Sequence, residues 1–343
     1  MLMLAALLGA AVVGSVILVD DDADNDQPDG AEGDAVTPSS SSVGETDIAP
    51  LDNLLQSGEE TSDFMAGSDG DDTLAGLGGN DQLNGYGGDD LLRGGQDVDQ
   101  LFGGAGDDTL SGGSDSDQLH GNDGSDLLRG DGGDDTLYGH FGDDLLQGGD
   151  GADVLHGGAG QDDLTGGAQG DALHGNDGND HLTGGQGEDT LFGGSGDDKL
   201  HGDDGVGEVD FLNGGDGADT LLAGEGDILT GGDGADTFVL PNLSVTSQLA
   251  QIPADTTSPA TIEVTDFTRG SDQLVLVLDD MPDVDGATEK PAVEISTTEG
   301  NSSAHLVTID GLPIVRITGP DDLLPDDIRL IGPEEARSLG LLT

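Results

Sequence analysis

Aspartate is the residue of this chain whose type and placement point to chemistry. In the stretch GGAGDDTLSGG, residues 103–113, Asp107 and Asp108 stand side by side, and Asp108 precedes Leu110 by two positions. Carboxylates in close pairs either exchange protons in acid–base catalysis or bind hard cations through oxygen. The chain contains no cysteine, so any metal must be bound by oxygen or imidazole.

The aspartates recur at a fixed spacing together with an apolar residue. From Leu74 to Leu200 a leucine stands at every ninth residue, and an aspartate precedes each leucine by two positions. The pairing extends to five further apolar residues: Met65, Leu212, Leu221, Leu229 and Phe238. Such self-similarity predicts a repeat architecture in which each aspartate has the same role. The candidate metal ligands are therefore Asp63, Asp72, Asp81, Asp90, Asp99, Asp108, Asp117, Asp126, Asp135, Asp144, Asp153, Asp162, Asp171, Asp180, Asp189, Asp198, Asp210, Asp219, Asp227 and Asp236.

The residues around each aspartate favour calcium as the bound cation. Ca²⁺ takes roughly six to eight oxygen ligands, which turn carbonyls and a carboxylate can supply. Glycines before the aspartate permit the positive φ angles and close backbone approach of a tight turn. A tripeptide in which an apolar residue stands between two outward-facing residues fits a three-residue strand with a single inward side chain. The carboxylate before each candidate ligand, such as that of Asp107, is interpreted as adding to the negative electrostatic field around the cation. A glycine–aspartate linker has no reason to keep leucine and aspartate in phase, so we expect a folded repeat.

The repeat unit reads G-G-x-G-x-D-x-L-x, as in Gly103, Gly104, Gly106, Asp108 and Leu110. It resembles the RTX (repeats-in-toxin), or hemolysin-type, calcium-binding nonapeptide, over about half of the chain. The resemblance implies an all-β fold, a parallel β-roll in which two nonapeptides make one turn. It also implies that the x-L-x tripeptide is a strand and the glycine-rich six residues are a turn. About one Ca²⁺ per nonapeptide is then expected between successive turns.

Some repeats depart from this pattern. Asp97, Asp115 and Gln169 replace the fourth-position glycine, residues 203–209 carry a three-residue insertion, and one residue is missing before Asp227. We expect calcium least at these turns and at the two ends of the series.

If alternate repeats share a sheet, the residues after the leucines form two different surfaces. One surface carries a file of rings and one amide: Asn84, Phe102, His120, Tyr138, His156, His174 and Phe192. The other carries Ala75, Arg93, Ser111, Arg129, Gln147, Thr165, Thr183 and His201. The ring file is interpreted either as a stacking ladder that supports the sheet or as a strip that binds sugars. A third hypothesis is a transition-metal chelate of His156 and His174.

The charge of the chain excludes some partners and requires others. The sequence has 72 acidic residues against 8 Lys plus Arg, a formal net charge of -64. Nucleic acid is excluded as a partner because phosphate binding needs clustered Lys and Arg. Mutual repulsion of the carboxylates opposes compaction, so the binding of cations must contribute folding free energy.

Four segments follow from composition. Residues 1–19 are apolar and uncharged, and are expected to be a membrane anchor or an export signal. Residues 20–62 are expected to be a disordered acidic linker, in which the apolar residues Leu51, Leu54 and Leu55 are a candidate cap of the first turn. Residues 63–240 are the expected β-roll. Residues 241–343 alternate like strands and are expected to form a β-rich C-terminal cap, with Asp310 and Gly311 as a hairpin turn. The family resemblance implies that this segment is also the secretion region, which contains the export signal.

No catalytic constellation is recognisable. The H-E-x-x-H zinc site of RTX proteases is absent from the sequence, and no segment remains for a catalytic domain. The sequence therefore predicts a non-enzymatic, exported calcium-binding protein that folds on extracellular calcium, with a structural or surface role. A membrane-anchored form with its body outside the cytoplasm is the alternative localisation. The alternative functions are a calcium-dependent carbohydrate-binding adhesin and a non-enzymatic part of a toxin system. Expected partners are calcium, the type I export machinery and an extracellular polysaccharide or cell surface.

Overall fold

The computed structural model describes residues 53–202, 208–222, 224, 226–241, 261–278, 292–297, 304–309, 312–319 and 323–342. The apolar segment 1–19 and most of the predicted linker lie outside these residues. In the part of the chain that is described, no helix has the length and apolar character needed to cross a bilayer.

Most of the described residues are in β-strands, and almost none are in helices. The strands are β1 Leu55–Ser57, β2 Phe64–Ala66, β3 Thr73–Gly78, β4 Gln82–Gly87, β5 Leu91–Gln96, β6 Gln100–Ala105, β7 Thr109–Ser114, β8 Gln118–Asp123, β9 Leu127–Gly132, β10 Thr136–Phe141, β11 Leu145–Asp150, β12 Val154–Ala159, β13 Asp163–Ala168, β14 Ala172–Asp177, β15 His181–Gln186, β16 Thr190–Ser195, β17 Lys199–His201, β18 Phe211–Gly217, β19 Thr220–Leu222, β20 Ile228–Gly234, β21 Thr237–Leu240, β22 Ile262–Val264, β23 Gln273–Val277, β24 Val293–Thr297, β25 Ala304–Ile309, β26 Leu312–Thr318 and β27 Ile328–Ile331. A 3₁₀ turn, Pro325–Asp327, and one short helix, α1 Pro333–Ser338, lie near the C-terminus.

The strands form two parallel sheets, one from the odd-numbered and one from the even-numbered strands as far as β23. Each strand pairs with the strand two places along the chain, so Leu128 lies opposite Leu146 and Leu137 opposite Leu155. Pairs in the regular part are 18 residues apart, which is two nonapeptides. The expected parallel β-roll with two repeats per turn is therefore confirmed.

The paired segments are longer than the three residues expected from the repeat. In β6, for example, pairing with β8 runs from Gln100 to Ala105, and Gly106 in the following turn donates its N–H to the carbonyl of Asp123 at 2.8 Å. The turn backbone thus stacks in register as well as the strand. This stacking requires left-handed backbone at Gly104 and Gly106, whose φ angles are 130° and 126°.

The core is a column of leucines enclosed between the two sheets. Each leucine of the nine-residue series from Leu74 to Leu191 is fully buried, because only one large side chain in each strand turns inward before the glycine turn begins. The column continues through Phe238 into Val264, Leu274 and Ile317 of the C-terminal segment. The interior of the roll and that of the C-terminal segment are therefore one hydrophobic core.

Changes in repeat length alter the register without breaking the sheets. Across the insertion, Thr190 pairs with Phe211, a step of 21 residues, and after the missing residue Phe211 pairs with Ile228, a step of 17. Leu191 nevertheless pairs with Leu212, and Leu212 with Leu229, so the inward leucines stay aligned.

The C-terminal segment extends both sheets. Strands β22 and β26 continue the even-numbered sheet, and β23 and β27 continue the odd-numbered one. Strands β25 and β26 pair antiparallel with Ile309 opposite Leu312, as the predicted hairpin requires, while residues 310 and 311 lie outside the described residues. Helix α1 packs Ala336 against Val239, Val275 and Val277 on the outer face of the odd-numbered sheet.

The N-terminal end of the roll lies earlier in the chain than residue 63. Strand β1 pairs in parallel with β3, and the N–H of Leu54 donates to the Oδ1 of Asp72. Leu55, expected to help cap the first turn, is instead 83% exposed. Its strand is held by backbone hydrogen bonds rather than by apolar packing.

Candidate metal centre

The candidate aspartates form two buried columns, one along each edge of the roll. Every one from Asp72 to Asp236 is buried, with no more than 4% of its surface exposed, and Asp63 in the first coil is half-buried. Each stands where the turn meets the strand, two residues before an inward leucine, so its side chain also turns inward. The structure therefore places the sequence-predicted residues in one repeated environment.

One oxygen of each carboxylate is used to join successive coils. The N–H of Asp108 donates to Oδ1 of Asp126 at 2.8 Å, and the same bond recurs from Asp63 to Asp236. The ladder goes one step further than the sequence indicated, because Asp236 donates to Oδ1 of Asp272 at 3.2 Å. Asp272 precedes Leu274 by two positions, which was the signal that could have identified it.

The other oxygen of most of these carboxylates is buried without a hydrogen bond. In the aspartates from Asp81 to Asp180, and in Asp198 and Asp219, Oδ2 accepts no bond from any described residue. A buried acceptor left in this state costs about 1–3 kcal/mol, and more when it is charged. These oxygens therefore call for either a cation or a proton.

Glycine keeps the space beside this oxygen open. A Cβ built on Gly130 would lie 2.2 Å from Oδ2 of Asp135 and 2.6 Å from the carbonyl oxygen of Gly148 in the next coil. The carboxylate and that carbonyl thus face the same small volume. A glycine is needed here for clearance rather than for an unusual φ angle, and the same arrangement recurs at Gly139 with Asp144 and Gly157.

Burial raises the pKa of these carboxyl groups, and the charges of neighbouring aspartates raise it further. The pKa of Asp117 rises to about 8, that of Asp135 to about 7 and that of Asp126 to about 6, although in each case a backbone N–H opposes the rise. Without a cation, several of these groups therefore hold a proton near neutral pH. Bound positive charge would reverse the shift, because it favours the ionised form.

The donor set fits calcium better than a transition metal. In the described residues, no three His, Asp or Glu side chains gather around one point. A cation bound at Oδ2 would therefore draw its remaining ligands from backbone carbonyls and water, which is the oxygen set that Ca²⁺ accepts. The residues present fit a calcium ion.

The aspartates that precede the ligands have a role the sequence did not reveal. Oδ1 of Asp107 accepts the N–H of Ser125 at 2.9 Å, and Asp89 does the same for Asp107 at 3.0 Å. At Asn179 an amide oxygen replaces the carboxylate and accepts from Asp197 at 2.8 Å. These exposed side chains join neighbouring coils, in addition to contributing negative field.

The irregular repeats keep the same geometry. Asp97 and Asp115 adopt left-handed backbone, with φ angles of 68° and 73°, in place of glycine. Asp97 Oδ2 also accepts the N–H of Gly79 at 3.1 Å. Because aspartate tolerates this conformation and caps a nearby N–H, Asp99 and Asp117 remain buried.

The ring file is a face-to-face stack. Successive rings from Phe102 to Phe192 lie 4.7–5.1 Å apart with interplanar angles of 6–13°. Each interior ring therefore has both faces covered by its neighbours. His156 and His174 belong to this stack at 4.8 Å, so their in-plane nitrogen lone pairs run side by side and do not converge on a metal.

A fourth histidine joins this surface. His140, which the nine-residue pattern did not single out, has its Nε2 3.0 Å from Nδ1 of His120. The ring centroids are 5.3 Å apart, with an interplanar angle of 18°. Because the two nitrogen atoms are much closer to each other than the two centroids are, the rings meet at their edges. Burial first, and the charge of His140 second, lower the pKa of His120. Burial likewise lowers the pKa of His156 and His174, so the neutral form of these rings is favoured in the stack.

A two-sided parallel roll with a buried, glycine-flanked carboxylate at each turn defines the class of repeat-built calcium-binding solenoids. The chain matches the family model described as RTX calcium-binding nonapeptide repeat (4 copies), at residues 57–92, 66–101, 85–119, 111–146, 138–173, 174–209, 210–227 and 226–239. These matches together cover residues 57–239, more than half of the chain. The chain belongs to this RTX family. No curated protein matches it.

Proposed function

We propose that this RTX protein is exported without its calcium and folds outside the cell, where it has a structural role at the surface or in the matrix. The observation that carries the proposal is the column of buried Oδ2 atoms that accept no hydrogen bond, from Asp81 to Asp180. A column of this kind is stable only when positive charge offsets it. Ion binding would then supply the folding free energy of the roll.

We assign the calcium ligands to the same twenty aspartates that the repeat identifies, from Asp63 to Asp236, with about one ion per nonapeptide. Oδ2 and the facing glycine carbonyl supply oxygen, and Oδ1 keeps its bond to the neighbouring coil. When bound, the ion supplies charge neutralisation and links two coils. Asp272 continues the hydrogen-bond ladder and extends this series into the C-terminal segment.

Calcium concentration supports the proposed localisation. Extracellular modules bind Ca²⁺ at roughly 10⁻⁴–10⁻³ M, far above cytosolic levels, so such a chain stays unfolded before export. Export through a type I system suits a chain whose RTX repeats stay unfolded until they meet calcium. Residues 1–19 would act as an anchor or a signal. The body then lies outside the cytoplasm in either case.

The ring stack favours a structural role over a sugar-binding strip. A sugar ring binds an aromatic residue through the face of the ring, and in the interior of this stack those faces are already covered. The alternative of a carbohydrate-binding adhesin therefore needs another surface. The structural ladder accounts for the stack with no ligand.

The proposed ligand role can be tested by counting bound calcium. In a triple variant, Asp117→Asn, Asp135→Asn and Asp153→Asn, the amide keeps the Oδ1 acceptor but loses the charge at Oδ2. We expect equilibrium dialysis to show about two to four fewer ions bound at saturation.

The matched control alters the outer row instead, with Asp107→Asn, Asp134→Asn and Asp143→Asn, and should keep the wild-type number of ions. Equal calcium binding by the two triple variants would contradict the assignment. Fractionation of the producing cells tests export separately: the protein should be in the medium or on the outer surface, and a purely cytoplasmic protein would contradict the proposal.

A further inference from the structure

A groove of about 510 Å³ lies on the outer face of the odd-numbered sheet, towards the C-terminal end of the roll. Its base includes Lys199 on β17 and Leu222 on β19, and the tail after α1, residues 340–342, contributes to its lining. Small-molecule sites commonly have volumes of about 300–1,000 Å³ and combine apolar walls with a few polar groups. The groove has the size and composition of such a site.

Basic side chains are concentrated here in a chain that has very few. Lys199 is one of only two lysines in the sequence. His181 is its partner in the register of β15 and β17, and Nδ1 of His181 lies 3.6 Å from Oδ1 of Asp163. His201 follows Lys199 by two residues, on the same face of the sheet. In the described residues, no carboxylate lies within ion-pair distance of Lys199, whereas the ion pairs of Arg269, Arg329 and Arg337 are formed.

Two carboxylates, those of Asp180 and Asp197, also line the groove, and each accepts one backbone N–H. Asp180 is buried in the ladder, where its Oδ1 accepts the N–H of Asp162 and its Oδ2 accepts no hydrogen bond from the described residues. Asp197, at the rim, accepts the N–H of Ala218 at 2.9 Å. Lys199 is therefore the cation presented to a ligand with its charge not cancelled by an ion pair.

The rim of the groove carries two amides. The outer row reads Asp71, Asp89, Asp107, Ser125 and Asp143 before the groove, and Gln161, Asn179 and Asp197 at the groove. An amide both donates and accepts hydrogen bonds, which matches a hydroxyl group better than a carboxylate does. On the other side, Leu341 and Leu342 add apolar surface that can contact C–H groups.

We propose that this groove binds an acidic saccharide, a uronate unit of a polysaccharide. Lys199 pairs with the uronate carboxylate, Gln161 and Asn179 bond to hydroxyl groups, and the leucines contact the C–H face of the sugar. The site goes beyond calcium-dependent folding, since it requires only the folded roll. It also gives a carbohydrate-binding role a surface that the ring stack does not offer.

The test is isothermal titration calorimetry of the full chain at saturating calcium with a hexameric oligogalacturonate, and with neutral cellohexaose as the comparison sugar. The wild type should bind the uronate saturably, and Lys199→Gln should weaken binding at least tenfold. The matched control is Arg129→Gln, which removes a cation on the same sheet outside the groove and should leave the affinity unchanged. Circular dichroism of each variant reports the calcium-dependent fold independently of ligand binding.

Three outcomes would overturn the proposal. The first is the absence of saturable binding by the folded wild type. The second is equal affinity of Lys199→Gln and the wild type, which would show that calcium at the acidic turns holds the uronate. The third is equal binding of the neutral hexamer, or full competition by acetate at the same carboxylate concentration, because either would remove the saccharide specificity.

Discussion

Two glycines in one strand provide a direct test of the carboxylate geometry. Gly130 and Gly132 both lie in β9, and neither has left-handed backbone. A Cβ on Gly130 would lie 2.2 Å from Oδ2 of Asp135 and 2.6 Å from the carbonyl oxygen of Gly148. A Cβ on Gly132 would meet no atom closer than 3.9 Å. The same methyl group is therefore added with and without a clash at the proposed ligand.

The expected effects differ in sign. Gly130→Ala overpacks the site, which costs about 1–3 kcal/mol, and it displaces a carboxylate that accepts the N–H of Asp117 at 2.8 Å, worth about 1–3 kcal/mol more. We therefore expect a loss of about 2–6 kcal/mol in the free energy of unfolding. Gly132→Ala should be neutral or stabilise by about 0.4–1 kcal/mol, because alanine restricts the unfolded chain.

The assay is guanidinium unfolding at saturating calcium, followed by circular dichroism, together with the calcium midpoint of folding for each variant. Gly130→Ala should also require more calcium to fold, since its ligand is displaced. If the two variants have the same unfolding free energy and the same calcium midpoint, the carboxylate does not occupy the position described here.

Three further predictions concern the core, the carboxyl protons and the rings. Leu146→Ala removes a fully buried side chain and should lower the free energy of unfolding by about 3–5 kcal/mol at saturating calcium. Leu145→Ala, on the outer face of the same strand, should lower it by under about 1 kcal/mol, and similar losses for the two variants in guanidinium unfolding would contradict the inward column. In excess chelator, lowering the pH should favour the folded roll, because groups such as Asp117 have a folded-state pKa raised from 3.8 to about 8. The stability that such a group contributes is lost as the pH rises through its folded-state pKa. A sheet signal in circular dichroism that does not increase when the pH is lowered from 8 to 4 would refute this. Tyr138→Ser removes a ring from the middle of the stack and should lower the melting temperature by an amount equivalent to about 0.5–1.5 kcal/mol per lost ring contact. Retention of the variant on polysaccharide should be unchanged. An unchanged melting temperature with reduced retention would instead show that the rings are a binding surface.

Much of the fold could be predicted from the sequence because every coil of the roll repeats the same local sequence pattern. The D-x-L triplet determines which side chains turn inward, so the burial of Leu110 and Asp108 follows from the alternation of a strand. The family resemblance added the pairing of alternate repeats, and with it the ring stack from Phe102 to Phe192.

The rest depends on contacts between coils, which the nine-residue pattern does not contain. The hydrogen bond from Ser125 to Asp107 joins residues 18 apart and became visible only when the coils were stacked. Asp272 was missed because it follows Asp236 by 36 residues and the repeat is interrupted between them. His140 was missed because it adopts left-handed backbone, with a φ angle of 82°, at a position where most repeats carry glycine or asparagine.

The most direct measurement is a calcium titration of the purified chain, followed by far-ultraviolet circular dichroism from excess chelator at neutral pH and low ionic strength. The self-repelling carboxylate columns predict a coil spectrum in chelator and a cooperative change to sheet at roughly millimolar Ca²⁺. Magnesium should not substitute, because it prefers six ligands in a tight octahedron and keeps its water. A compact, sheet-rich chain in chelator would show that the roll needs no bound cation, and would contradict the account.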